Sequence, residues 1–283
     1  MLPAIFTKNY QQTSGKTNSD NIVENTEENI SNTEQQNSKK ISLLHTKTGE
    51  VEKVNLEDYL CNVVSAEMPA TFENEALKAQ AIVARTYTMY KINNKKHTEA
   101  DICDSSTCCQ AWISKDDRLA KWEEGKRDEY WKKICLAVQD TYGKIVTYND
   151  EPINAFFHSN SGGTTELPIN VWGGTNYPYL QVIATSGEEG YTQYASDVIL
   201  TNDEIINKIK QKYSDISIDF SNQDDLKILE YNESGRVKTV KFGNHSISGV
   251  EVRSIFGLKS TNFEIVKLDN KHIQFKVKGY GYG

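Results

Sequence analysis

No window of the 283-residue sequence approaches the roughly 18 consecutive apolar residues that a membrane-crossing helix needs, so no stretch of it reads as a bilayer span. A basic excess is missing too. With 32 Lys and Arg against 39 Asp and Glu the formal net charge is -7, which argues against nucleic acid as the main partner, because phosphate binding needs a basic face. An even cysteine count is also absent: the five cysteines exclude a complete disulfide framework and leave at least one thiol free or metal-bound. What remains is 37% hydrophobic residues, enough for one large or two smaller domains with a sizeable core.

The first 40 residues are of a different kind from the rest. Leu2 to Phe6 is a short apolar run, expected to be the remnant of a trimmed membrane anchor, with an ordinary start after Met1 as the alternative. Thr7 to Lys40 is rich in Asn, Ser, Thr, Gln and Glu and cannot bury enough surface to offset its ordering entropy. It reads as a disordered tether that, as a coil of about 30 residues, reaches about 30 Å.

From Ile41 short apolar runs alternate with polar residues, and LLHTKTGEVEKV predicts a hairpin turning at Gly49. Leu56, Tyr59, Leu60, Val63 and Val64 recur at helical spacing, and Pro69 bars that helix from running past Met68. A second, alanine-rich helix is expected over about 73–92, and another over about 128–142. GKIVTY and INAFFHSNSGG read as strands, the latter ending in a polar glycine loop. Beyond it, 202–213 reads as an amphipathic helix, and 236–242, 249–256 and 272–277 as strands or strand-helix units. The expected fold class is α+β: a mixed core over 41–190, completed by 271–283, with a smaller inserted α/β lobe over 191–270 and a cleft between them.

Glu67 stands where the first helix ends, among Val63, Val64, Ala66, Met68 and Pro69. A carboxyl in such surroundings has a raised pKa, as a general acid working near neutral pH requires; the bland alternative is a solvated helix-end glutamate. Lys78 and Arg85, seven residues apart on the second helix, share a face and can meet a substrate carboxylate or steady an acidic side chain, or simply face water. His97, Cys103 and Cys109 are spaced by six and six and form a candidate zinc site, with water, Cys108 or an acidic residue as the fourth ligand. A Cys103–Cys109 disulfide and free thiols are the rivals. A Cys-His nucleophile built from Cys61 or Cys108 with His158 is the weakest of these readings, since Cys61 falls on an apolar helix face. The loop His158 to Glu166 sets small hydroxyls beside two glycines, and Tyr177 to Leu180 with Trp172 offers rings suited to sugar faces.

Together, DYLCNVVSAEMPATFENEALKAQAIVARTYT, ADICDSSTCCQAW, FFHSNSGGTTE and WGGTNYPYL resemble the stage II sporulation protein D family in order, spacing and wording. The resemblance implies a lytic transglycosylase of peptidoglycan, anchored in the mother-cell membrane, facing the space between mother cell and forespore, and partnered by an amidase, stage II sporulation protein P, that strips peptides from the glycan first. It implies that Glu67, in the family's A-E-M-P motif, is the catalytic acid and base, and that Lys78, Arg85, Gln110, Ser159, Ser161 and Tyr179 bind or position sugar. Zinc at His97, Cys103 and Cys109 is expected to be structural, because these cysteines are not general to the family. After PYL the family usually has lysine; here Gln181 stands, and the acidic residue further on is Glu188. A related group, the amidase enhancers, implies the alternative of a non-catalytic glycan-binding module.

Overall fold

The computed structural model describes residues 39–192 and 194–282, so the expected anchor and tether lie outside the described residues. The fold is α+β, and the chain divides into two units between Phe156 and Phe157.

In the first unit β1 (Lys40–Leu44) and β2 (Val51–Asn55) form the expected antiparallel hairpin, with Leu44 opposite Val51 and Gly49 at φ 79° in the turn. Only glycine holds that left-handed conformation at no steric cost. A two-residue strand β3 (Ile102–Cys103) adds to the free edge of β1 in parallel, Leu44 opposite Cys103.

Three helices, α1 (Leu56–Glu67), α2 (Asn74–Asn93) and α4 (Arg127–Gln139), pack on one another, with the short α3 (Lys115–Lys121) alongside. Asn55 starts α1 by accepting from the Glu57 and Asp58 N–H groups, and Met68 ends it in extended conformation, as a residue before proline must. The apolar stripe of α1 (Leu56, Leu60, Val63, Val64) meets Leu77, Ala81 and Ala84 of α2 and Ile134 and Val138 of α4, all buried. Each such leucine or isoleucine contributes about 2 kcal/mol by leaving water, and the alanines let α2 come close. GKIVTY enters a strand only at its end: β4 (Thr147–Tyr148) turns into β5 (Glu151–Pro152) through Asn149 and Asp150, both at positive φ.

In the second unit β6 (Ala195–Thr201), β10 (Asn262–Lys267) and β11 (His272–Lys278) form an antiparallel sheet with β11 in the middle. A second sheet has β8 (Val237–Phe242) between β7 (Leu226–Tyr231) and β9 (His245–Ser248). Helices α5 (Pro168–Trp172), α6 (Asn202–Lys210) and α7 (Gly249–Phe256) complete it, α6 opening on a Thr201/Glu204 capping box. Phe242, Phe256, Phe263 and Phe275 lie in one buried cluster, Phe256 stacked on Phe275 at 5.0 Å.

Three expectations differ from what is found. Segment 271–283, expected to complete the first core, supplies the central strand of the second unit's sheet, and the division falls at 156/157 rather than near 190. INAFFHSNSGG forms no strand beyond an isolated bridge at Asn160, and near its end side chains take backbone groups, Glu188 accepting from the Ser161 and Gly163 N–H and Arg236 donating to the Ser161 carbonyl. Gly249–Phe256 is a helix, capped by the Ser248 hydroxyl, which accepts from Glu251 N–H.

Arg85 shows what holds the first unit's helices together. It is 1% exposed and makes a two-pronged ion pair with Glu57 of α1, Nε to Oε1 at 3.0 Å and Nη2 to Oε2 at 2.6 Å. Its guanidinium also donates to the Val138 carbonyl in the last turn of α4 and to the Lys144 carbonyl in the segment that follows. Glu57→Gln, which strands the buried guanidinium, is therefore expected to lower unfolding free energy by about 3 kcal/mol in urea titration; an unchanged midpoint would remove the pair's structural role.

Candidate functional site

Glu67 is the last residue of α1, half-buried, with its Oε1 accepting from the Ala111 N–H at 3.0 Å. Burial pushes its carboxyl above the ordinary value, and the Ala111 N–H only partly opposes this. The proton is thus held more tightly than in water. Ala111 lies 44 residues away in sequence, so this contact could not be seen there.

The residues just before Ala111 explain why its N–H stays in place. Gln110, 5% exposed, donates to Tyr59 Oη of α1 at 2.9 Å and Thr88 Oγ1 of α2 at 3.0 Å. Cys109 belongs to a cluster with His97, Cys103 and Cys108 whose four ligand atoms all lie within 4.8 Å of one another. His97 Nε2 stands 3.5 Å from Cys108 Sγ and 3.8 Å from Cys109 Sγ, and the two sulfurs are 4.0 Å apart. A tetrahedral zinc with Zn–S bonds of about 2.3 Å has ligand-to-ligand edges of about 3.8 Å, so the three thiols and one imidazole fit that ion in number, chemistry and spacing. All five cysteines carry free thiols here. Cys108, one of several candidates for the fourth position by sequence, is the one the fold brings in.

The predicted sugar-binding residues of the first unit are differently employed. Of the two roles expected for Arg85, meeting a substrate carboxylate or steadying an acidic side chain, the fold shows the second, with Arg85 buried against Glu57, and Gln110 is buried between two helices. Both position other groups rather than offering an exposed contact surface. Lys78 shares the face of Arg85 as spacing predicts, but pairs with Glu75 and Asp140, each at 3.0 Å.

In the second unit Ser159 is exposed, whereas Ser161 is fully buried and points into its own scaffold. Its hydroxyl donates to Glu188 Oε2 at 2.5 Å, and Glu188 also accepts from the N–H groups of Ser161 and Gly163 and from Thr185 Oγ1. On the other side of the same loop the buried Arg236 donates to the carbonyls of Ser161 and Thr164 and to Ser260 Oγ. Glu166, also buried, accepts from Asn170, Asn232 and Ser234. Loop 158–166 is thereby gripped from both faces of its backbone. Sequence reasoning missed Arg236 and Glu166 altogether, since a cation opening a strand and a glutamate closing a polar loop look like solvated residues. Tyr179 is half-buried, its ring 5.5 Å from that of Tyr177.

Fold and site together define an α+β protein whose first unit carries a half-buried carboxyl at a helix end, braced by a segment rooted in a Cys₃His cluster. Residues 44–148 match the family model described as SpoIID, Stage II sporulation protein. Stage II sporulation protein D of Bacillus subtilis (strain 168) is 32% identical over 246 residues, covering 86% of this chain and 69% of that protein. The protein of the same name from Bacillus amyloliquefaciens is 30% identical over 247 residues, and the amidase enhancer of Bacillus subtilis 28% over 273, spanning 36% of that longer protein. The chain belongs to the stage II sporulation protein D family, which works in bacterial sporulation. Among the described residues no helix is long and apolar enough to cross a membrane.

Burial alone would raise the Glu188 carboxyl, but the hydroxyl and N–H donors of Ser161, Gly163 and Thr185 overcome it and hold it down at about 2. A depressed folded pKa gives stability that is complete above the unfolded value near 4.5 and is lost as pH falls towards about 2. The parent should therefore melt above Glu188→Gln at pH 6, with the gap closing between pH 4.5 and 2 in thermal scans; a pH-independent gap would refute this coupling.

Proposed function

We propose that the protein is a lytic transglycosylase that cuts peptidoglycan glycan strands during spore engulfment, with Glu67 as its single acid and base. The observation that carries this reading is the half-buried Glu67 carboxyl, its pKa raised by burial and its Oε1 held by one backbone N–H. An ordinary glycosidase needs two carboxylates, one to protonate the leaving oxygen and one to activate water or attack. A lone carboxyl suffices when the nucleophile lies within the substrate. Glu67 gives its proton to the glycosidic oxygen as the bond to the muramic acid anomeric carbon breaks. The resulting carboxylate then takes the proton of the same sugar's 6-hydroxyl, whose oxygen bonds to that carbon. The products are a new 4-hydroxyl end and a 1,6-anhydro end, Glu67 is again protonated, and no water is consumed. A wall-glycan substrate implies a position outside the cytoplasm, and on this reading a partner amidase supplies peptide-free strands.

Zinc at His97, Cys103, Cys108 and Cys109 would be a structural cross-link, since four protein donors leave no open position. Cys109 would then anchor Gln110 and Ala111, and through Ala111 the orientation of Glu67.

The similarity to the amidase enhancer favours a second reading, a silent glycan-binding module that stimulates an amidase. Incubating the protein with peptide-free strands and examining products by mass spectrometry separates the two. Glu67→Gln is expected to lower anhydro-muramic ends at least ~100-fold, the usual share of a general acid, while melting no lower than the parent because it removes a carboxyl that burial disfavours. Binding without cleavage by either protein would favour the module.

Chelation at pH 7 should lower the melting temperature by ~5 °C or more, with zinc restoring it. A hydrolytic metal centre predicts the opposite pattern, with activity lost on chelation and kept in Glu67→Gln.

A further inference from the structure

The second unit carries a surface feature that the catalytic reading leaves unused. Beyond β11 the chain runs alongside loop 158–163: Tyr280 N–H donates to Asn160 O at 2.8 Å, and Gly281 N–H to Lys259 O at 2.9 Å. Gly162 and Gly279 meet so closely that a Cβ on Gly162 would lie 2.8 Å from Gly279 N, so the two segments sit backbone to backbone. Tyr280 and Tyr282 follow two residues apart on this braced segment.

Each tyrosine carries a cation on its face. Lys259 Nζ lies 5.1 Å over the Tyr280 ring, and Arg253 Cζ lies 4.2 Å over that of Tyr282. The edge of Tyr282 meets Trp172 at 5.7 Å, and Trp172 is 59% exposed. Among the described residues neither cation has a carboxylate partner. Arg253 Nε lies 3.4 Å from Lys259 O, and among the described residues neither its Nη groups nor the Lys259 ammonium has a hydrogen-bond acceptor. In a chain of net charge -7, two unneutralised cations set beside three aromatic rings mark a place where charge is kept for a ligand.

We propose that Trp172, Tyr280 and Tyr282 with Arg253 and Lys259 form a binding site for an acidic sugar. Rings pack on the apolar face of a pyranose, and a guanidinium offers a carboxylate two parallel donors. A neutral glycan would use the rings but give the cations no task. Nucleic acid would need a longer basic track than two side chains. Resting on the glycan reading, the inference goes further: the ligand group is the lactyl carboxylate of muramic acid, an amide while the stem peptide is attached and a free anion once an amidase has removed it. Arg253 and Lys259 thus select stripped strands.

The test measures binding in the Glu67→Gln background, so that strands stay intact, using peptide-free muramyl strands and a chitin oligosaccharide of equal length. The strands are expected to bind ~10-fold tighter, the scale of one charge-assisted contact. Arg253→Gln with Lys259→Gln should erase that preference while leaving chitin affinity unchanged; Arg253→Lys with Lys259 intact should keep part of it, and Trp172→Ala should weaken both ligands. Equal binding of the two ligands by the parent, binding of neither, a preference that survives the double variant, or a double variant that weakens both ligands alike overturns the site. Loss of the preference in a protein that never cleaves strands would leave this site standing and remove the transglycosylase, whereas cleavage with an insensitive preference would do the reverse.

Discussion

Three consecutive residues, Cys109, Gln110 and Ala111, hold the first unit's chemistry in register. The sulfur of the first joins the Cys₃His cluster, the amide of the second is buried between α1 and α2, and the N–H of the third meets Glu67. A backbone donor fixed this way can aim a carboxyl without lending it charge. That combination leaves Glu67 oriented with a raised pKa, because burial pushes it up and one neutral hydrogen bond only partly opposes this. Arg85 and Glu57 serve the same end from the other side of the helices, locking α1 against α2 and the close of α4.

The second unit uses its buried charge for shape rather than proton transfer. Arg236 takes carbonyls and Glu188 takes N–H groups of one short loop, so its backbone is held by buried side chains together with isolated bridges rather than by a full strand ladder. Such a loop has little freedom to lose when a ligand arrives. The same loop braces the segment carrying Tyr280, so the cation-topped rings stand on a frame that is already set.

Much of the first unit was legible because its signals are local. The apolar spacing of α1, the stop at Pro69, the alanine face of α2 and the turn at Gly49 each come from neighbouring residues, and their elements appear where expected. The six-and-six spacing of His97, Cys103 and Cys109 likewise forecast a cluster, though only the fold brought in Cys108. Contacts across long separations were hidden. Arg85 could be read as meeting a substrate carboxylate or steadying an acidic side chain, and Glu57, 28 residues away, gave no sign of being that partner. Ser161 looked like a sugar contact because nothing marked Glu188, 27 residues on, as its acceptor. The role of β11 depended on pairing with β6, more than 70 residues earlier, which composition does not encode.

In the proposed reaction one carboxyl, Glu67, acts twice and water takes no part. Cleaving peptide-free strands in water enriched in oxygen-18 tests this most directly, with the new ends read by mass spectrometry. Anhydro ends that carry no oxygen-18 are expected. Reducing ends that carry the label would show that water is the nucleophile and contradict the proposed reaction.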